Sequence, residues 1–160
     1  MKIPEGFEYI HDENNIRGFF GDYRFLSNMW PCLVNIYEHS FKSSEHAYQW
    51  AKTKDNSYII HPSFVDNMTG SEVKNWGQKI DIRSDWQEIK EQVMFDIVYA
   101  KFTQNKELQK LLLSTGDKYL EERNWWSDAE WGVNYKTGNG KNKLGKILTK
   151  VRNVIKWEAL

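Results

Sequence analysis

Apolar residues recur with a helical period in four stretches of this chain, and in a fifth the period is lost. The longest periodic run is Trp86, Ile89, Val93, Ile97 and Ala100, with Met94, Val98 and Phe102 on its flank. That spacing predicts a core helix ending near Thr103. Ser84-Asp85-Trp86-Gln87 has the form of a capping box at its start, with Ser84 as N-cap and Gln87 at N3. Leu108, Leu111, Leu112 and Leu113 predict a shorter helix from Lys106 to Ser114, stopped by Thr115-Gly116-Asp117. Leu144, Ile147, Leu148, Val151, Val154 and Ile155 predict a last helix, capped by Asn142.

The remaining stretch, from Phe41 to Lys52, organises the chain. Ser43 or Ser44 is placed to cap it. Ala47, Trp50 and Ala51 then form one stripe, and Glu45, Tyr48, Gln49 and Lys52 the opposite one. The first stripe is a core face. The second is either a solvated face with some i, i+4 pairing or the lining of a polar cleft. Glu45 falls in the first turn, where the helix macrodipole favours an ionised carboxylate by about 0.3–1 kcal/mol.

Elsewhere the signals are shorter. Residues 1–18 read as irregular or short-strand, anchored by Tyr9-Ile10 and Ile16. Residues 19–31 are aromatic but broken by Gly, Asn and Pro, which suits a buried loop holding a site or an aromatic-anchored turn equally. Leu33 to Tyr37 reads as a strand, and Glu38-His39-Ser40 as the turn into the organising helix. Between Asp55 and Lys79, Pro62 opens a short helix through Met68. Thr69 or Ser71 caps another across Val73 and Trp76, ended by Gly77. Residues 119–142 show no period, and Gly132, Gly138 and Gly140 suit a loop whose backbone approaches a ligand. These elements predict a mainly α, multihelical single domain over residues 1–160, with a minor N-terminal β element.

Composition narrows the function. Twenty-two basic residues balance twenty-two acidic ones, which disfavours non-specific nucleic-acid binding. One cysteine, Cys32, allows no internal disulfide, and neither a membrane span nor a signal peptide is present, so a soluble, cytoplasmic protein is expected. Eight tryptophans exceed what such a core needs, and several lie beside Gly, Asn or Asp, as rings that stack on a base would. Four scattered histidines and one cysteine offer no metal set, and no cofactor is expected. Gly140 to Ile147 misses the Walker A pattern at its last position. It remains a glycine-rich entry to a helix N-terminus that could receive phosphate.

Two acidic centres are left: Glu45, and Asp128 in a loop rich in Trp and Gly. Glycosidic cleavage uses carboxylates to support an oxocarbenium-like transition state and to move the proton at the leaving atom. The plainer role for Asp128 is a turn or cap.

Phe20-Gly21, Phe25-Leu26-Ser27-Asn28, Ser44-Glu45-His46-Ala47-Tyr48-Gln49 with Lys52, and Arg83-Ser84-Asp85-Trp86 resemble motifs of the YbiA-like (NADAR) family. So do Val93-Met94, Lys101-Phe102, Asp128 with Trp131-Gly132, and Gly140 to Gly145, in family order from about Phe19 to Arg152. The resemblance implies a helical fold with its core over 19–152 and hydrolysis of an N-glycosidic bond. The implied substrates join ribose phosphate or ADP-ribose to a base or amine. Ribosylated intermediates of riboflavin synthesis and ADP-ribosylated guanine are examples, and modified nucleic acid is a further partner. It implies acidic catalytic positions at Glu45 and Asp128, while Lys52, seven residues beyond Glu45 on the same stripe, is by its own chemistry a phosphate contact, an ion-pair partner or a Schiff-base nucleophile. Phe20, Gly21, Asn28, Tyr48, Trp86, Trp131, Gly132 and Asn142 form the implied substrate-binding set. Extra residues around Trp125-Trp126 and between Gly132 and Gly140 depart from the family pattern at the pocket edge. A non-catalytic ADP-ribose or nucleotide reader is the alternative from another class.

Overall fold

The apolar periods become helices at nearly the expected bounds. In the computed structural model, which describes residues 2–53 and 60–160, the first half of the chain carries β1 (Ile10–His11), β2 (Asn15–Arg17), a 3₁₀ helix (Gly21–Leu26), β3 (Val34–Ile36), β4 (His39–Phe41) and α1 (Ser44–Ala51). A second 3₁₀ helix (Pro62–Val65), α2 (Gly70–Gly77), α3 (Trp86–Gln104) and α4 (Lys106–Ser114) follow. The chain ends with β5 (Tyr119–Glu121), β6 (Arg123–Asn124), β7 (Val133–Asn134) and α5 (Lys143–Glu158). Among the described residues the architecture is mainly helical, with three small sheets of two or three strands. The opening of the broken region, residues 54–59, lies outside the described residues. Among the described residues no helix is long and apolar enough to cross a membrane.

The fold divides into a continuous unit, Asn28–Gln109, and a composite unit formed by the chain up to Ser27 with Lys110–Leu160. In the continuous unit, α1 packs on α2 and α3, and the β3–β4 hairpin packs on α1 and α3. The hairpin corrects the expected turn. Tyr37 and Glu38 both take positive φ, +55° and +58°, and two such residues reverse a chain in register. His39–Phe41 then pairs with β3 as a strand and is not part of a turn into the helix. At α1 the Ser43 hydroxyl accepts from the His46 N–H, as the sequence predicts. Thr69 caps α2 in a full capping box with Glu72.

The box expected at α3 does not form. Asp85 stands at the N-cap without a capping bond from its side chain, because Arg83 grips its carboxylate through Nε (2.6 Å) and Nη2 (2.9 Å). The buried face of α3 includes Met94, Ile97, Val98 and Phe102, and also Lys101, which is 1% exposed.

The composite unit overturns the loop expected over 119–142. β5 pairs parallel to β2, with Ile16 opposite Leu120 and Arg17 opposite Glu121. β6 pairs parallel to β7. The buried Glu121 carboxylate accepts from Arg17 (2.7 Å) and Arg123 (3.3 Å). α5 buries Leu144, Ile147, Leu148, Val151 and Ile155. Arg152, on the same helix, donates to Thr115 Oγ1 (2.9 Å) and the Lys118 carbonyl (3.0 Å), holding the turn that ends α4.

Candidate active site

α1 is buried on every side: each residue from Ser44 to Ala51 is enclosed, and of the polar stripe only Lys52 is part-exposed. That excludes the solvated reading of Glu45, Tyr48 and Gln49. The Glu45 peptide N–H donates to the Asn28 carbonyl (3.0 Å), and its Oε1 accepts from Gln49 Nε2 (2.8 Å). Burial pushes the Glu45 carboxyl above the ordinary range, and Gln49, Lys74, Lys52 and His46 pull it back only in part. At Glu45, desolvation of a buried carboxylate outweighs the pull of the helix end.

Lys52 follows α1 as its C-cap. Its Nζ lies 5.2 Å from the centre of the Tyr48 ring. Desolvation lowers its pKa, helped by Lys74 and Lys90 and opposed by Glu45. Tyr48 in turn leans on Trp86, with ring centres 5.2 Å apart, and Trp86 is buried. Asn28 Nδ2 donates to Met94 Sδ at 3.4 Å. Asn28, Glu45, Tyr48, Lys52 and Trp86 are thus brought together around one helix. Gln49 belongs to the polar stripe but not to the expected binding set, and its i+4 spacing from Glu45 is the sequence signal for their hydrogen bond. Lys74 reaches this charge from α2, and nothing in its sequence neighbourhood marks it.

The other expected residues lie in the composite unit. Phe20 stacks between Trp125 (5.3 Å) and Tyr9 (5.8 Å). Gly21 opens the 3₁₀ helix at φ +56°, a conformation that suits glycine. Asp128 Oδ1 accepts the N–H groups of Glu130 (3.1 Å) and Trp131 (2.9 Å), which is a turn role. Asn124 clamps the Asp128 peptide from both sides, accepting its N–H and donating to its carbonyl. Trp131 is half-buried. At Gly132 an added Cβ would collide with the Glu122 carbonyl, so the missing side chain serves the packing of the chain on itself.

The start of α5 also departs from expectation. The N–H groups of Asn142, Lys143 and Leu144 donate to the carbonyls of Gly132, Glu130 and Trp131. These are the donors a phosphate would use, and the Asp128–Gly132 loop already occupies them. Asn142 holds the N-cap position at φ +51° but makes no capping bond from its side chain. Its amide instead accepts from the Glu122 N–H (3.1 Å) and donates to the Leu120 carbonyl (2.9 Å) and the Tyr119 hydroxyl (3.2 Å). Among the described residues no group of three or more His, Cys, Asp or Glu is arranged to hold a metal ion.

A sequence profile of the NADAR domain matches residues 13–156. N-glycosidase YbiA of Escherichia coli (strain K12) is 34% identical over 139 residues, covering 86% of this chain and 84% of that protein. A riboflavin biosynthesis protein of Vibrio vulnificus is 35% identical over 140 residues. That match covers 84% of this chain but only 36% of the relative, so the chain spans about a third of its length. The NMR structure of the E. coli protein YbiA superposes with a TM-score of 0.78 at 28% identity, covering 97% of this chain and 92% of that one.

Proposed function

The chain belongs to the NADAR family, and from that premise we propose that it is an N-glycosidase whose reaction is carried by Glu45 and Lys52. The observation that carries this reading is the pair of opposed environments on α1. Burial drives the Glu45 carboxyl toward its protonated form and the Lys52 amine toward its free base. A carboxylic acid that keeps its proton can deliver it to a leaving nitrogen, and an amine that has shed one can attack carbon.

In a ring-opened ribosylamine, C1′ is an imine carbon, and the Lys52 Nζ lone pair forms a bond to it. One Nζ proton passes to the former imine nitrogen, and the C1′–N bond to the base then breaks. Its electron pair leaves on the base nitrogen, which takes the Glu45 proton, and C1′ remains joined to Nζ as a Schiff base. Water adds to C1′, the Nζ–C1′ bond breaks, and ribose and free amine are restored, with the surplus proton returned to Glu45.

The substrates that fit are ribose phosphate or ADP-ribose joined to a base or amine. A riboflavin-pathway ribosylamino intermediate agrees with the name of the Vibrio relative, a riboflavin biosynthesis protein. ADP-ribosylated guanine, free or in nucleic acid, rests on the family resemblance alone. So do the binding roles of Phe20, Gly21, Asn28, Tyr48, Trp86, Trp131, Gly132 and Asn142, and the catalytic role of Asp128.

The test is to incubate the protein with an aminopyrimidine ribotide, ADP-ribosylated guanine DNA and NAD⁺, and to follow base and sugar. Release from at least one is expected, whereas binding without release from all would establish the reader instead. Borohydride added during turnover should trap a sugar adduct on Lys52. No adduct, with an active Lys52→Arg protein, would replace the Schiff base by direct attack of water.

A further inference from the structure

Gln49 is held at both ends of its amide, in two different ways. Nε2 donates to Glu45 Oε1 at 2.8 Å. Oε1 is buried without a hydrogen-bond partner and faces the backbone of α2, where a Cβ built on Gly77 would collide with it. α2 therefore meets α1 at a residue with no side chain, and any larger residue would displace the amide. A buried acceptor without a partner costs stability, so the arrangement calls for a compensating gain. Orientation supplies one. With its donor toward Glu45, the amide supports the ionised carboxylate. Turned over, it would place oxygen against oxygen, which only a protonated Glu45 could satisfy.

We infer that Gln49 is a positioning residue for Glu45 and that Gly77 is the seat that sets its reach: the amide fixes the buried carboxyl and keeps its charged form accessible, so that the same group can give up a proton and take it back. This rests on the reading of Glu45 as the proton-transferring group. Burial alone would strand the carboxyl in its neutral form. The other groups acting on its charge are His46 beside it on α1, Lys52 at the C-cap of α1 and Lys74 on α2, with Lys90 of α3 acting on Lys52. Gln49 is the neutral hydrogen-bond donor among them, so its contribution can be removed without changing the net charge.

The experiment reads Glu45 directly, by ¹³C NMR of protein labelled at glutamate side-chain carboxyls, with its signal identified by its loss in Glu45→Gln. Gln49→Leu removes the donor, and the titration midpoint of Glu45 should rise by about one pH unit. Gly77→Ala displaces the amide and should move the midpoint in the same direction. Adding Gly77→Ala to Gln49→Ala should not move the midpoint beyond Gln49→Ala itself. Should Gly77→Ala alone not fold, Gln49→Leu and the double variant decide. The limb of the kcat–pH profile that belongs to Glu45 should follow the midpoint. An unmoved midpoint in Gln49→Leu, with only Tm lowered, would make Gln49 a packing residue and overturn the inference. A moved midpoint alongside an active Glu45→Gln protein would instead overturn the catalytic reading of Glu45.

Discussion

At Glu45 two local effects pull in opposite directions. The first turn of α1 and the Gln49 amide favour the carboxylate, while enclosure within the continuous unit favours the acid, and enclosure wins. A group whose folded pKa lies above its unfolded value binds more protons when folded. Its stabilising contribution is complete below about pH 4.5 and is lost as pH rises through the raised pKa. Glu45→Gln keeps the shape and removes the titration. The variant should unfold at a higher temperature than the parent at neutral pH, and the gap should close toward pH 4. Its turnover should fall by at least about a hundredfold, the loss usual for a group that moves a proton, with substrate binding largely kept. Thermal unfolding across pH checks the first outcome and steady-state kinetics the second. A fully active variant would end the catalytic assignment.

At the scale of elements, the Asp128–Gly132 loop is a structural part whatever else it does, since its carbonyls fill the N-terminus of α5. The two roles of Asp128 separate by substitution. Asp128→Asn keeps the oxygen that holds Glu130 and Trp131, so its Tm should match the parent, while loss of the charge should lower activity about a hundredfold. Asp128→Ala loses the turn as well, at a further cost of about 1 kcal/mol of stability. An active Asp128→Asn protein would leave Asp128 as a turn residue only. The elements also mark how far the sequence could be read. α3, α4 and α5 are legible from several turns of apolar spacing, and α1 from its stripe and its Ser43 cap, although the capping bonds expected at α3 and α5 do not form. β5, β6 and β7 are not legible, because strands of two or three residues cannot display a period, and the partner of β5 lies at the other end of the chain. The hairpin turn was hidden because neither Tyr37 nor Glu38 is a residue that signals positive φ. The polar stripe of α1 was visible as a stripe, but its burial depends on α2 and α3 packing over it. Gly77 read as a helix terminator, and its second role, leaving space for Gln49, exists only once two helices are placed together.

For the whole molecule, equal numbers of acidic and basic residues leave no large net charge to drive stability with pH. A few enclosed groups dominate instead. Lys101 is the clearest: it lies on α3 between Ala100 and Phe102, is 1% exposed, and burial brings its pKa down to about 8, with Cys32 opposing. Its folded pKa lies below the unfolded value of 10.5. The folded chain therefore binds fewer protons between these limits, and stability rises with pH across that window. The full gap corresponds to about 3 kcal/mol. Cys32 and Tyr37 act the other way, because burial raises both, Tyr37 to about 12. Their stabilising effect fades above about pH 9 and pH 10 respectively, from the ordinary values of thiol and phenol. The Lys101 contribution is therefore cleanest between about pH 8 and 9. Urea unfolding of the parent should show stability climbing through that interval. Lys101→Met, similar in length and without charge, should flatten the climb, leaving the smaller part due to Lys52, whose amine burial shifts in the same direction. A parallel climb in the variant would assign it to other groups and return Lys101 to the ordinary range of a solvated amine.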